Sequence, residues 1–212
     1  PTGPEEGENR VFRGGCWNRA NWIARSAFRN SGPLDQRDNM EGFRLVRPIA
    51  FEIVESKILP DDGEANDQFG NEVSISGDYA IVGAYQDDDN GENSGSAYIF
   101  ANTEDGWIQQ SKLTPVDGAA GDNFGWTISI SGDYALVGAL NDDDNGENTG
   151  SAYVFVRDGD NWSQQAKLVA DDAEAGDQFS MGDVSIDGDY AIIGAHVEGN
   201  RAGAAYIFVH DG

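Results

Sequence analysis

The sequence predicts an all-β fold: an array of short, four-stranded antiparallel sheets. Three observations carry this prediction. A pattern returns every 55 residues, each period contains blocks of four to eight residues rich in Val, Ile, Tyr, Phe and Trp, and Gly, Asp, Asn and Ser bound those blocks. Phe69-Gly70 recurs at Phe124-Gly125, and Phe179 stands one period further on, with Ser180 in place of the glycine. A period of this length makes the fold a question of one unit and how copies of it stack.

Taken in chain order, residues 52–59 lie one period before residues 107–114, so the array opens on the last strand of a unit. Next, Val73 and Ile75 alternate with Ser74 and Ser76, the period of a strand with one buried face. Gly77-Asp78 follows, with glycine where a two-residue type II′ hairpin needs positive φ. Residues 79–82 and 97–100 are apolar on both faces, as central strands are. Trp107-Ile108-Gln109-Gln110-Ser111-Lys112-Leu113 closes the unit and recurs as Trp162-Ser163-Gln164-Gln165-Ala166-Lys167-Leu168. Ser76-Gly77-Asp78-Tyr79-Ala80 returns at residues 131–135 and, after a one-residue insertion, as Asp187-Gly188-Asp189-Tyr190-Ala191. Gly95-Ser96-Ala97-Tyr98-Ile99-Phe100 returns at residues 150–155 and as Gly203-Ala204-Ala205-Tyr206-Ile207-Phe208. No block has helical length or spacing.

Four short strands per unit, with apolar residues on both faces of the middle pair, indicate the blades of a β-propeller. A β-solenoid is the competitor, but its repeats are shorter. The units run over about 57–111, 112–166 and 167–212, and the last stops just after its third strand. That offset is what propellers use to close, the first strand completing the last blade. Three units fall short of the usual four to eight blades. The expectation is an incomplete ring, part of a seven-bladed one, whose open end blades favour self-association.

Charge sets the front of the chain apart. Residues 1–50 hold eight arginines, no lysine and six acids, a net of +2, while the rest holds five basic and 32 acidic residues, a net of −27. A shift of this size marks separate units, here 1–48 and 49–212. The overall charge of −25 excludes attraction to nucleic acid or to an anionic membrane, and leaves cationic partners and divalent ions. No apolar run has the length of a membrane span. One cysteine allows no internal disulfide framework. The chain starts at Pro1, shows no signal peptide, and reads as a piece of a longer protein.

The blocks Asp122-Asn123-Phe124-Gly125, residues 128–139 and residues 150–155 together resemble the FG-GAP repeat, which also builds the propeller head of integrin α chains. The proline of Gly-Ala-Pro is absent: Gly83-Ala84-Tyr85, Gly138-Ala139-Leu140 and Gly194-Ala195-His196 stand there. With Trp and Gln-Gln before Lys-Leu, residues 51–212 resemble the long bacterial form of secreted and surface proteins. The resemblance implies an extracellular, non-catalytic propeller.

At the front, Arg10-Val11-Phe12-Arg13-Gly14-Gly15-Cys16-Trp17, Arg25-Ser26-Ala27-Phe28-Arg29 and Gly42-Phe43-Arg44-Leu45-Val46-Arg47 resemble the C-terminal end of the formylglycine-generating enzyme family. This is the sulfatase-modifying-factor fold, a loop-rich, C-type-lectin-like domain. That family's copper is held by two cysteine thiolates, and a related sulfoxide-synthase branch uses iron held by histidines. Here Cys16 is alone, and His196 and His210 lie in the repeats. The resemblance therefore implies a remnant without the catalytic ligands, with Cys16 a small hydrophobe beside Trp17. Arg25, Arg29, Arg44 and Arg47 either line a binding face or pair with acids and carbonyls inside the fold.

Within the repeats, Asp87-Asp88-Asp89-Asn90-Gly91-Glu92-Asn93 and its twin Asp142-Asp143-Asp144-Asn145-Gly146-Glu147-Asn148 are the dense oxygen-ligand clusters. Calcium takes six to eight oxygens on a loop that turns sharply at glycine. Asp87, Asp88, Asp89, Asn90, Asp142, Asp143, Asp144 and Asn145 are therefore the candidate metal ligands. The resemblance to integrin loops, with Gly91 sixth, places Gln86, Asp88, Asn90 and Ser94 at the first, third, fifth and ninth positions. In the second copy these are Asn141, Asp143, Asn145 and Thr149, and a register centred on Asp87 and Asp89 is the other arrangement. A solvated hairpin loop with Asn-Gly at positive φ is the alternative. The third copy, His196-Val197-Glu198-Gly199-Asn200-Arg201, lacks the cluster and is expected to bind nothing.

Asp67, Asp122 and Asp177, each two residues before the phenylalanine, are expected to accept hydrogen bonds from turn N–H groups. Trp107 and Trp162 are expected to pack between blades. No nucleophile with its base, phosphate loop or metalloprotease motif is present. The sequence thus points to a non-catalytic secreted or cell-surface binding or adhesion module for a protein or glycan partner, with calcium as a stiffener. The alternatives are an appendage of a sulfatase-modifying-factor-fold enzyme and a structural spacer.

Overall fold

The computed structural model describes residues 9–13, 29–33, 54–198 and 202–211. The chain divides into two compact units, Pro1–Val54 and Glu55–Gly212. In the first, β1 (Asn9–Arg13) pairs antiparallel with β2 (Arg29–Pro33), with Asn9 opposite Pro33 and Arg13 opposite Arg29. Cys16, Trp17 and the side chains of the arginines at 25, 29, 44 and 47 lie outside the described residues, as do the enzyme-like motifs they belong to.

In the second unit, β3 (Val73–Ser76), β4 (Tyr79–Ala84), β5 (Ser96–Thr103) and β6 (Gly106–Leu113) form one antiparallel sheet in chain order. A second sheet holds β7 (Phe124–Ser131), β8 (Tyr134–Ala139), β9 (Ser151–Asp158) and β10 (Asn161–Leu168). A third holds β11 (Val184–Asp187), β12 (Tyr190–Ala195) and β13 (Ala204–Val209). This all-β arrangement of four, four and three strands is that of a partial β-propeller. The β3–β4 hairpin turns on Gly77-Asp78, with Ser76 opposite Tyr79. Gly77 has φ +57° and Asp78 is not among the residues of positive φ, which makes the turn type II′, not I′.

The core lies between sheets. Ile81 and Ile99 of the first pack with Ile128 and Ile130 of the second. Leu136 and Ala152 of the second pack with Val184, Ile186 and Ile193 of the third. The sequence assigned Val73 and Ile75 a buried face, yet they are 64% and 66% exposed, whereas their counterparts Ile128 and Ile130 are buried. The cause is position: among the described residues no sheet lies in front of β3. The far end mirrors this, with Ile192 and Ile207 exposed where Ile81 and Ile99 are fully buried.

The Phe-Gly motif is the joint between blades. The Phe124 N–H donates to the Ser94 carbonyl at 3.0 Å, and Gly95 and Phe124 form a parallel bridge. The Phe124 ring sits edge-on to Tyr153 and Phe155. Gly125 has φ +89°, and a Cβ there would stand 2.2 Å from the Ser96 carbonyl oxygen, so at this joint any side chain would push the two backbones apart. In the third copy Ser180 adopts the left-handed φ of 71°, and its hydroxyl donates to the Ser151 carbonyl at 2.9 Å.

Candidate functional site: the acidic loops and their lysines

The acidic loops connect the two central strands of each four-stranded sheet. Pairing of β5 with β6 puts Lys112 opposite Tyr98, and pairing of β9 with β10 puts Lys167 opposite Tyr153. Each lysine thereby reaches back 25 residues to its own sheet's loop. Lys112 Nζ contacts Asp87 Oδ2 and Asp62 Oδ2 at 2.8 Å each, and Asp89 Oδ2 as well. Lys167 Nζ repeats this with Asp142 at 2.8 Å, Asp117 at 2.9 Å and Asp144 at 2.6 Å. The Tyr98 hydroxyl donates to Asp87 Oδ2 at 2.8 Å, and the Tyr153 hydroxyl to Asp142 Oδ2 at 2.6 Å. Each ammonium also lies 5.2 Å from the centre of its tyrosine ring, a cation–π distance.

Among the candidate ligands, Asp87 and Asp142 are buried and point inward, while Asp88, Asp89, Asn90, Asp143, Asp144 and Asn145 are exposed. Asp87 Oδ1 accepts the Asp89 N–H, and Asp142 Oδ1 accepts the Asp144 N–H. Asp88 and Asp143 each accept a hydrogen bond at 2.6 Å, from the N–H of Asn93 and Asn148 respectively. The two loops therefore share one internal scheme, in which a lysine ammonium supplies the positive charge to the inward carboxylates. Among the described residues, no group of three or more His, Cys, Asp or Glu side chains is arranged to hold a metal ion.

Burial works to raise the Asp87 carboxyl. The Lys112 ammonium, the Tyr98 hydroxyl and the Asp89 N–H outweigh it and hold the group below the usual carboxylate range. Asp62 and Asp117 are held low in the same way, by Lys112 and Lys167. For the lysines, burial favours the neutral amine, but the surrounding carboxylates keep the ammonium well above its ordinary range. Burial and the adjoining aspartate push both tyrosine hydroxyls up.

The third copy keeps part of the scheme: the Tyr206 hydroxyl lies 2.6 Å from Glu198 Oε2 and 2.9 Å from Asp172 Oδ1. Glu198 occupies the place of Asp87 and Asp142, and Asp172 that of Asp62 and Asp117.

The turn aspartates accept the N–H three residues earlier. Glu64 donates to Asp67, Ala119 to Asp122 and Glu174 to Asp177, at 2.6, 2.7 and 2.6 Å. Burial, and then the charges of Asp142, Asp143 and Asp144, push the Asp122 carboxyl up to about 6. Trp162 packs edge-on against Tyr79 of the preceding sheet at 6.2 Å and donates Nε1–H to Gln110 Oε1, so it does pack between blades. Trp107 packs on its own sheet's cluster of Val82, Ala84, Tyr98 and Phe100.

The residues that reasoning from sequence missed are the lysines. A signal was there: the chain's three lysines, Lys57, Lys112 and Lys167, stand one period apart in a chain with 38 acidic residues.

Stacked antiparallel blades joined through a Phe-Gly motif, each full blade locked by a lysine–tyrosine–aspartate cluster, define a repeat protein of the propeller class. The FG-GAP repeat family matches at residues 54–100, 107–155 and 162–208, more than half of the chain, and the protein belongs to that family. No curated protein matches it.

Proposed function

We propose that this chain is a non-catalytic binding module of a secreted or cell-surface protein, presenting an acidic rim to a protein or glycan partner. The observation that carries the reading is the division of labour within the two loops. Asp87 and Asp142 are consumed internally, while Asp88, Glu92, Asp143 and Glu147 remain exposed. Successive loops are also tied to the next unit, the Glu92 carbonyl accepting the Gly121 N–H and the Glu147 carbonyl the Gly176 N–H, both at 2.9 Å. The result is a fixed row of carboxylates suited to steering a basic partner. FG-GAP repeats are typical of extracellular proteins, which supports the location. Among the described residues, no helix is long and apolar enough to cross a membrane.

Calcium enters this reading by exchange. An ion at either loop takes Asp87 or Asp142 from its lysine, and stiffens the array only where it outcompetes the ammonium. Thermal melting with calcium from micromolar to millimolar tests this: a rising midpoint supports ion binding, and an unchanged one removes it.

The rim is tested by comparing the wild type with a D88N/E92Q/D143N/E147Q variant on protein and glycan arrays at two salt concentrations. Ligands that the wild type captures should be lost by the variant and weakened by salt. An identical capture profile for the two proteins would sink the proposal.

A further inference from the structure

We infer that Asn90-Gly91 and Asn145-Gly146 are sites of spontaneous covalent modification, each asparagine closing on the nitrogen of the glycine that follows it and ending as aspartate or isoaspartate. Asparagine followed by glycine occurs at these two places in the chain and nowhere else. Both lie in the acidic loops, one period apart.

The chemistry needs a free side chain and an unobstructed nitrogen. Asn90 and Asn145 are exposed, and the side-chain hydrogen bonds of the loops run through their aspartates and through Ser94 or Thr149. Among the described residues, none engages the side chain of either asparagine. Gly91 and Gly146 have no Cβ to shield the nitrogen, and their φ of +131° and +136° is a conformation that residues with a side chain avoid. The turn itself therefore keeps glycine after asparagine.

In the first loop, hydroxide takes the amide proton of Gly91 and the nitrogen attacks Asn90 Cγ. The N–Cγ bond forms, the Cγ–Nδ2 bond breaks, and Nδ2 leaves as ammonia with a proton from water. Water then opens the cyclic imide. Attack at Cγ restores the main chain and gives aspartate, whereas attack at the backbone carbonyl routes the chain through Cγ and gives isoaspartate, longer by a methylene. Asn145 and Gly146 follow the same course.

The fold sets the rate. The Gly91 N–H donates to the Asp88 carbonyl, and the Gly146 N–H to the Asp143 carbonyl, each at 3.0 Å. These bonds must open before the proton can leave, so the folded loop reacts more slowly than a free peptide of the same sequence. The fold also sets the consequence. A Cβ on Gly91 would stand 3.0 Å from the Ala120 Cβ, and the Glu92 carbonyl accepts the Gly121 N–H at 2.9 Å, so the loop lies tight against the linker to the next blade. A lengthened main chain strains this joint, while aspartate only adds a charge beside Asp88 and Glu92. The modification stands whether or not the acidic rim takes a partner.

Peptide mapping by mass spectrometry on the full chain, incubated at neutral and at mildly alkaline pH, reads the outcome. Asn90 and Asn145 should lose ammonia several-fold faster than the exposed Asn66, Asn71, Asn102 and Asn161, which precede residues other than glycine. The rate should rise with pH, as removal of the amide proton requires, and N90Q/N145Q should abolish the loss in both loops. A synthetic peptide of residues 86–94 should convert faster than the folded chain, and protein carrying isoaspartate should melt below N90D/N145D, which has the same charge on an unlengthened chain. Amides intact in both loops after the peptide has fully converted, or a loss spread evenly over the exposed asparagines, overturns the inference. A peptide no faster than the folded chain overturns the brake given to the turn bonds, and equal melting of the isoaspartate form and N90D/N145D overturns the strain given to the joint.

Discussion

Replacing Lys167 with methionine is the most direct trial of the lysine–carboxylate scheme. The change keeps an unbranched stem against Tyr153 and removes the ammonium from Asp117, Asp142 and Asp144. The Asp142 side chain is 2% exposed, so its charge is left in the protein interior with only the Tyr153 hydroxyl and the Asp144 N–H for support. Removing one partner of a buried pair costs about 3–5 kcal/mol. Lys167 is itself 19% exposed, and Asp117 and Asp144 remain in contact with solvent, so the low end applies. A loss of about 3 kcal/mol corresponds to a melting midpoint lowered by roughly 6–12 °C for a protein of this size. Calorimetry or circular dichroism on the wild type, K167M, D142N and K167M/D142N measures it. The double variant should recover much of the loss, because no buried charge is then left unpaired. Lys57→Met, at an exposed position, should change stability by about 0.5 kcal/mol or less. A K167M cost below about 1 kcal/mol, or single costs that simply add, would refute the assignment of Lys167 as the buried counter-charge.

Further outcomes follow from the same geometry. Burial holds the Asp122 carboxyl up at about 6, so the folded chain binds its proton more tightly than the unfolded chain does. This contribution makes stability rise as pH falls from about 7 towards 4, and Asp122→Asn should flatten that limb in melts recorded against pH. Asp62, Asp87 and Asp117 are shifted the opposite way, so their contribution is complete above the ordinary carboxylate value of 3.8 and is lost as pH falls below it. Acid unfolding should therefore set in below about pH 4, and a stability that declined steadily from pH 7 to 4 would contradict both assignments. Tyr153→Phe removes the hydroxyl from Asp142 and should cost about 1.5–3 kcal/mol in urea titration, as expected for a hydrogen bond to a charged group. Gly125→Ala drives a Cβ against the Ser96 carbonyl at a left-handed φ and should lower stability by straining the joint between the first two blades, whereas Gly132→Ala, at an open turn, should cost less in the same melts.

Much of the architecture was legible because each of its causes is local. The Gly77-Asp78 turn needs one glycine at positive φ, and Asp67, Asp122 and Asp177 bind an N–H only three residues away. Periodicity then carried these local rules along the chain. The acidic loops were legible as clusters but not as electrostatic units. Their counter-charge arrives from 25 residues downstream, delivered by strand pairing that places Lys112 beside Tyr98 and Lys167 beside Tyr153. The regular spacing of the three lysines held that information, but a spacing does not say which carboxylate an ammonium will meet.

The amino-acid sequence by itself determined the period, the strands, the turns and the strong negative charge, since propensity, alternation and composition are properties of short segments. Only the tertiary structure decided which apolar residues are covered. Val73 and Ile128 occupy the same place in their units, yet one is exposed and the other buried, because burial depends on whether another sheet stands in front. The same holds for charge: Asp87 and Asp88 are adjacent and chemically identical, and the fold alone turns the first onto a lysine and leaves the second facing water.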